Sequence, residues 1–124
     1  MTDNNVIVFK DNELELEVNV APEEDTVWLT QAQMAQLFQT TAQNITIHLK
    51  NIYNDDELDE AATCKDFLQV RQEGRRTVRR KQKYYNLDMI ISVGYRVNSK
   101  RGIRFRKWAT NILKQYVMDG VAVN

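Results

Sequence analysis

Between Arg71 and Lys83 the chain carries seven basic side chains and one acidic one in thirteen positions. A cationic run of this density neutralises phosphates, and Arg75, Arg76, Arg79, Arg80, Lys81 and Lys83 are its candidate contacts. Arg79, Lys81 and Lys83 alternate, as do Val78 and Tyr84 around them, which is strand period. Side chains two apart on a strand lie about 7 Å from one another, so the run reads as a ribbon able to follow a phosphate backbone. The alternative is a solvated, disordered charge run.

A second constellation sits in QAQMAQLFQTTAQNITIHLKNIY. If Ile45 and Leu49 face inward on a helix, then Gln43, Ile47, Lys50, Asn51 and Asn54 face out, with Asn44 and Thr46 at the edges. Gln and Asn can pair bidentately with adenine, Lys reaches guanine or phosphate, and an exposed apolar group can meet a thymine methyl. Gln43, Asn44, Ile47, Lys50 and Asn51 are therefore candidate base readers. The alternative is a polar solvent face with one stray isoleucine. A third set, Lys100, Arg104, Lys107 and Lys114, lies opposite an apolar stripe running from Phe105 to Tyr116. It reads as a solvated helix face, as further phosphate contacts at Lys100, Arg104 and Lys107, or as a surface for an acidic membrane or partner.

Other chemistry has less to stand on. There is no Gly-rich phosphate loop, no His, Cys and carboxylate cluster at metal spacing, and no nucleophile with a recognisable base. His48 borders an apolar stripe and lacks catalytic partners. The acidic run from Asp55 to Glu60 does not follow a calcium-loop pattern. No enzyme activity, metal, cofactor or small-molecule ligand is expected.

The net charge of zero hides a division. Residues 1–66 hold 14 acidic and 3 basic side chains, a net of −11, and residues 67–124 hold 3 acidic and 14 basic, a net of +11. Such a swing points to a polyanionic partner for the second half, or to two faces that neutralise each other. At 124 residues there is room for one domain. No apolar run is long enough for a transmembrane helix, the first residues lack a signal-peptide pattern, and one cysteine, Cys64, cannot form an internal disulfide. A cytoplasmic protein without membrane attachment is expected.

These residues need elements to position them. VIVFKDNELELEVNV reads as a hairpin turning at Asp11-Asn12, with leucine and valine on one face and glutamate on the other. Pro22 to Asp25 is a connector. Thr30 with Gln33 makes a capping box, Leu29 and Met34 a hydrophobic staple, and Met34, Leu37 and Phe38 one helix face. A second helix starts from Thr40 with Gln43 or from Thr41 with Asn44, its stripe being Ile45, Leu49, Ile52 and Tyr53. Two helices joined so tightly form a helix-turn-helix, although Gln39 stands where a glycine is usual. Asn54 to Glu60 reads as a loop or a frayed helix end. Residues 64–85 read as a second hairpin turning at Gly74. Asn86 caps a helix buried through Leu87, Ile90, Ile91 and Gly94, and Ser99 caps a last helix ending at Gly120. The expected fold is α+β, a winged helix-turn-helix with an N-terminal hairpin, a basic hairpin wing and two C-terminal helices.

Three segments, VWLTQAQMAQLFQTTAQNITIHLKNIY, VRQEGRRTVRRKQKYYNLDMIISVGYRVNSKRG and FRKWATNILKQYVMDG, resemble the bacterial virulence protein RhuM family, and the likeness runs from Val6 to Asn124. The stretch from Tyr84 to Tyr116 is distantly similar to Bro-N and KilA-N type DNA-binding domains. The resemblance implies a single DNA-binding domain over residues 1–124 that forms the N-terminal part of a longer architecture, and it supplies no catalytic residues. The helix-turn-helix is then 30–54, the wing 64–85 and the C-terminal helices 87–119. Double-stranded DNA is the expected partner, in a regulatory or accessory role, with the C-terminal helices available for a homodimer. The competing readings are a protein-interaction adaptor and a non-catalytic accessory domain of a downstream effector.

Overall fold

Asn12, in the left-handed region at φ 56°, turns the acidic N-terminal segment back on itself. The strands it joins are β1 (Val6–Asp11) and β2 (Leu14–Ala21). Leu16, Val18 and Val20 are buried while Glu15 and Glu17 are exposed, as the alternation requires. The computed structural model describes residues 5–123. After a 3-10 turn at Pro22–Glu24 come β3 (Thr26–Thr30), α1 (Gln31–Leu37), α2 (Ala42–Asn54), a single helical turn α3 (Glu60–Thr63), β4 (Cys64–Glu73), β5 (Arg76–Asn86), α4 (Leu87–Arg96) and α5 (Lys100–Val123). The architecture is α+β, with one antiparallel sheet in the order β1-β2-β3-β5-β4.

β3 is the element that the sequence did not announce. It joins the two hairpins into one sheet, pairing with β2 through Trp28↔Asn19 to Thr26↔Ala21 and with β5 through Trp28↔Asn86 to Thr30↔Tyr84. Thr26 to Leu29 are all buried, because a central strand covered on both faces has no polar side to alternate. Both hairpins run past the end of β3 at Thr30, so their tips at Asn12 and Gly74 lie toward the same end of the sheet. α1 departs from that end between them.

The helix starts follow their caps. The Thr30 hydroxyl accepts from the Gln33 amide at 3.1 Å and the Gln33 side chain accepts from the Thr30 amide at 2.8 Å. Gln33 Nε2 also donates to the Glu17 carbonyl at 2.7 Å, fastening α1 to β2. Of the two starts open for α2, the structure takes Thr41 as the cap, accepting from the Asn44 amide at 3.0 Å. Gln39, between the helices, adopts φ 56°, the left-handed conformation that glycine takes at least cost.

The main core fills one face of the sheet. Phe9, Leu16, Val18, Val27, Leu29 and Tyr85 meet Met34, Leu37, Ile45, Ile52, Ile90, Val93 and Phe105 from the helices. On α4 the most buried residues include Met89 and Val93, while Leu87 and Ile91 are only half-buried. α4 and α5 cross where a Cβ on Gly94 would stand 3.0 Å from the Phe38 ring and one on Gly102 3.1 Å from it. A methyl at either position would require the Phe38 ring to give by a few tenths of an ångström. The other sheet face holds a small cluster of Ala21, Trp28 and Tyr84 with Phe67. α5 continues through Gly120 to Val123, so the helix does not stop at the expected glycine. No helix among the described residues is long and apolar enough to cross a membrane.

Candidate nucleic-acid interface

α2 presents the arc that its wheel demands. Ile45, Leu49 and Ile52 are buried, and Gln43, Lys50, Asn51 and Asn54 are exposed. Ile47 is 55% exposed with no core role. Because Thr41 is the cap, Gln43 is the second helical residue and takes no part in capping. Asn44 is half-buried and differs from the other candidates. Its amide group donates to the Thr40 hydroxyl at 2.9 Å, so it braces the turn between the helices. His48 is half-buried on the flank of the stripe.

β4 and β5 form the ribbon, and register decides which side chains share a face. Gly74, at φ 64°, occupies the first position of a two-residue turn, where a type II′ hairpin places glycine. β3 reaches only as far as Tyr84, so the eight pairs from Asp66↔Lys83 to Glu73↔Arg76 form a two-stranded arm. At about 3.4 Å per residue it is roughly 27 Å long. Arg79, Lys81 and Lys83 share a face with Tyr85, and Tyr85 is buried in the main core with Ile45 and Leu49. That face lies on the side of the sheet where α1 and α2 pack. Arg76 and Arg80 lie on the opposite face, with Arg71 paired across from Val78. The cations read together as one phosphate-binding set are thus divided by the period of two between both faces of the arm, with Arg75 at its tip.

The ribbon charges have few partners. All six of the candidate cations are exposed, and the ion pair among them is Arg80 to Glu73 at 3.9 Å. The α5 candidates differ among themselves. Lys100 and Lys107 are exposed. Arg104 is engaged elsewhere: its Nε and Nη2 each donate to Asp11 at 2.8 Å, and Arg101 Nε donates to the same carboxylate at 2.9 Å. Arg104 is thus tied to a carboxylate of the body, although its side chain is 51% exposed. Its first task is to hold the tip of the β1–β2 hairpin. The side chains of Asp11 and Arg101 are 12% and 14% exposed, and the hydrogen bonds from Arg104, then Arg101, hold the Asp11 carboxyl below the usual carboxylate range.

Sequence reasoning missed this junction because Asp11 and Arg101 are 90 residues apart, with no local spacing to join them. It also missed a partner for the acidic loop after α2. Arg96 binds Asp55 at 3.1 Å and Glu57 at 2.9 Å, and its hydrogen bond holds the Glu57 carboxyl below its ordinary value. Burial pushes the Cys64 thiol up, which leaves it a weak nucleophile. Among the described residues no group of three or more His, Cys, Asp or Glu side chains converges on a point that could hold a metal ion.

An α+β body with an uncovered cationic ribbon and a polar helix arc is the class these features define. The chain belongs to the virulence protein RhuM family, whose family model matches residues 62–124, just over half of the chain and all of the ribbon. No curated protein and no solved structure matches the chain.

Proposed function

We propose that the chain binds double-stranded DNA as a regulatory or accessory module, with α1 and α2 acting as a helix-turn-helix and the β4–β5 ribbon as its wing. The observation that carries this reading is the exposed cationic face of the ribbon, Arg79, Lys81 and Lys83, which makes no ion pair among the described residues and lies on the same side of the sheet as α1 and α2. The left-handed Gln39 supports it, because the turn of a helix-turn-helix often holds a glycine, the residue that takes that conformation at least cost. In this reading α2 enters the major groove by its N-terminal half, where Gln43, Ile47, Lys50 and Asn51 reach base edges. The ribbon neutralises phosphates and fixes register. The acidic loop at the far end of α2, tied back by Arg96, points away from the duplex. Fluorescence anisotropy with a random-sequence duplex at low salt tests it. Saturable binding that weakens with salt is expected.

A second reading has one observation in its favour. Ile91, Tyr95, Ile103 and Arg106 line a cleft of about 490 Å³ between α4 and α5, and Tyr95 is 86% exposed there. A protein partner or a second copy docking on this face would bury it. DNA binding that survives Tyr95→Ser and Ile103→Ser together keeps the two surfaces distinct.

A further inference from the structure

β4 is an edge of the sheet, ten residues long, with β5 on one side and no strand on the other among the described residues. An edge presents a row of unpaired N–H and C=O groups, which proteins blunt by shortness, proline, bulges or cover. β4 holds no proline, and its ten pairs with β5 run without a break. Its charges lie toward its ends and leave Phe67 to Val70 uncharged. Leu68 and Val70 are 60% and 61% exposed. The two-residue turn closes on Glu73↔Arg76 as a hydrogen-bonded pair. Pairs of that kind alternate along an antiparallel ladder. The amides and carbonyls of Asp66, Leu68, Val70 and Gln72 therefore point away from β5, along the open edge.

We infer that a second copy of this chain adds its own β4 antiparallel to this edge, about a twofold axis at Gln69, and so joins two sheets into one. Charge and shape select that register. A twofold axis normal to the sheet keeps each face on its own side, so facing residues share a face and the axis falls on a residue. Centred at Gln69, Leu68 of each copy faces Val70 of the other, Lys65 faces Glu73, Arg71 faces Phe67 and Asp66 faces Gln72. These are aliphatic, opposite-charge, cation–aromatic and hydrogen-bonding pairs. Centring at Phe67 or Leu68 sets Asp66 against Leu68 or Val70. Centring at Val70 sets Glu73 against Phe67, and centring at Arg71 sets that arginine against itself. The β5 cations do not oppose the union. Two β4 strands separate the rows, about 14 Å in all, which exceeds the screening length of about 8 Å at physiological salt. The pairing uses the edge of the arm, so both of its faces stay open and the inference stands apart from the DNA reading.

Sedimentation equilibrium and cross-linking test it together. The unchanged chain should pass from monomer to dimer as its concentration rises. Leu68→Glu with Val70→Glu sets each new carboxylate across from a cation of its own β5, Lys81 or Arg79, so the arm keeps its fold. In the dimer the same carboxylates face one another, and association should weaken about thirtyfold. Gln69→Cys, made with Cys64→Ser, sets two thiols across the axis on facing residues about 4.5 Å apart at Cα, within reach of a disulfide. Gln72→Cys in the same background sets them about 20 Å apart. Under mild oxidation the Gln69→Cys chain should cross-link into dimers far faster than the Gln72→Cys chain. A chain that stays monomeric at every concentration overturns the inference, and so do equal rates of cross-linking. So do dimers that tolerate both glutamates and are lost with Tyr95→Ser and Ile103→Ser, because the contact would then be the α4–α5 cleft. Dimers with the expected cross-link in a chain that binds no duplex would sink the DNA reading and leave this inference standing.

Discussion

Two groups of arginines in this chain meet opposite fates. Arg101 and Arg104, at the start of α5, converge on the carboxylate of Asp11 at 2.8 to 2.9 Å. Arg76, Arg79 and Arg80, on β5, stand in solvent on an arm with no layer packed over it. The side chain is the same, and position in the sheet separates the outcomes. At the β1–β2 tip, where α5 passes close by, a carboxylate is within reach and the charge holds two elements together. On the arm the neighbouring strand β3 has ended, at Thr30 opposite Tyr84, and the charge remains available to an outside anion. The difference teaches that net charge by half-chain is a poor guide to a binding surface. Part of the +11 half neutralises part of the −11 half inside the fold, and the ribbon, with Lys100 and Lys107 on α5, is among what remains exposed.

The comparison can be broken most forcefully on the arm. Arg79→Ala, Lys81→Ala and Lys83→Ala together should lower duplex affinity about a hundredfold, or about 2.7 kcal/mol, for all sequences alike. Thermal stability should shift by less than about 0.5 kcal/mol. A titration of several unrelated duplexes checks both the size and the uniformity. The body should respond in the reverse sense. Gly94→Ala places a methyl 3.0 Å from the Phe38 ring and should cost about 1–3 kcal/mol of stability, read from urea unfolding, while ribbon-mediated affinity measured on the folded fraction stays unchanged.

Gln43→Ala sharpens the division within the interface. Its side chain caps nothing, so stability should hold. Preference at one or two base pairs should relax by about 1–3 kcal/mol, seen by selection of bound sites before and after the change. Identical selected sites would remove α2 from base reading. The smallest effect concerns acid. Asp11 is held below its ordinary range by Arg104 and Arg101, so its junction stabilises the fold above the usual carboxylate range and is lost as pH falls through the lowered value. Asp11→Asn should lower the unfolding midpoint at neutral pH and flatten the acid limb of the stability curve below about pH 4, while affinity for duplex at neutral pH changes little.

Much of the scaffold was legible in the sequence where a local rule applied. The capping box at Thr30 and Gln33, the glutamate alternation in β2, the Gly74 turn and the Asn86 cap each depend on residues within a few positions. What escaped depends on distance. β3 has no polar face to betray it, because it is sandwiched between the hairpins and covered on both sides. The Asp11 junction joins residues from opposite ends of the chain. The exposure of Leu68 and Val70 is not a local matter either. Only the end of β3 at Thr30 reveals that the arm has outrun the body by that point. Gly120 carried the signal of a helix end, yet the helix continues, since glycine in a helix costs only about 1 kcal/mol.

The account depends on the ribbon cations being available to phosphates, and one measurement addresses that directly: affinity for a random duplex across a range of salt. If Arg79, Lys81 and Lys83, with Arg75 at the tip, meet about four phosphates, log affinity should fall against log salt with a slope of about −3.6. A flat response, or no binding to duplex DNA at low salt, would contradict it.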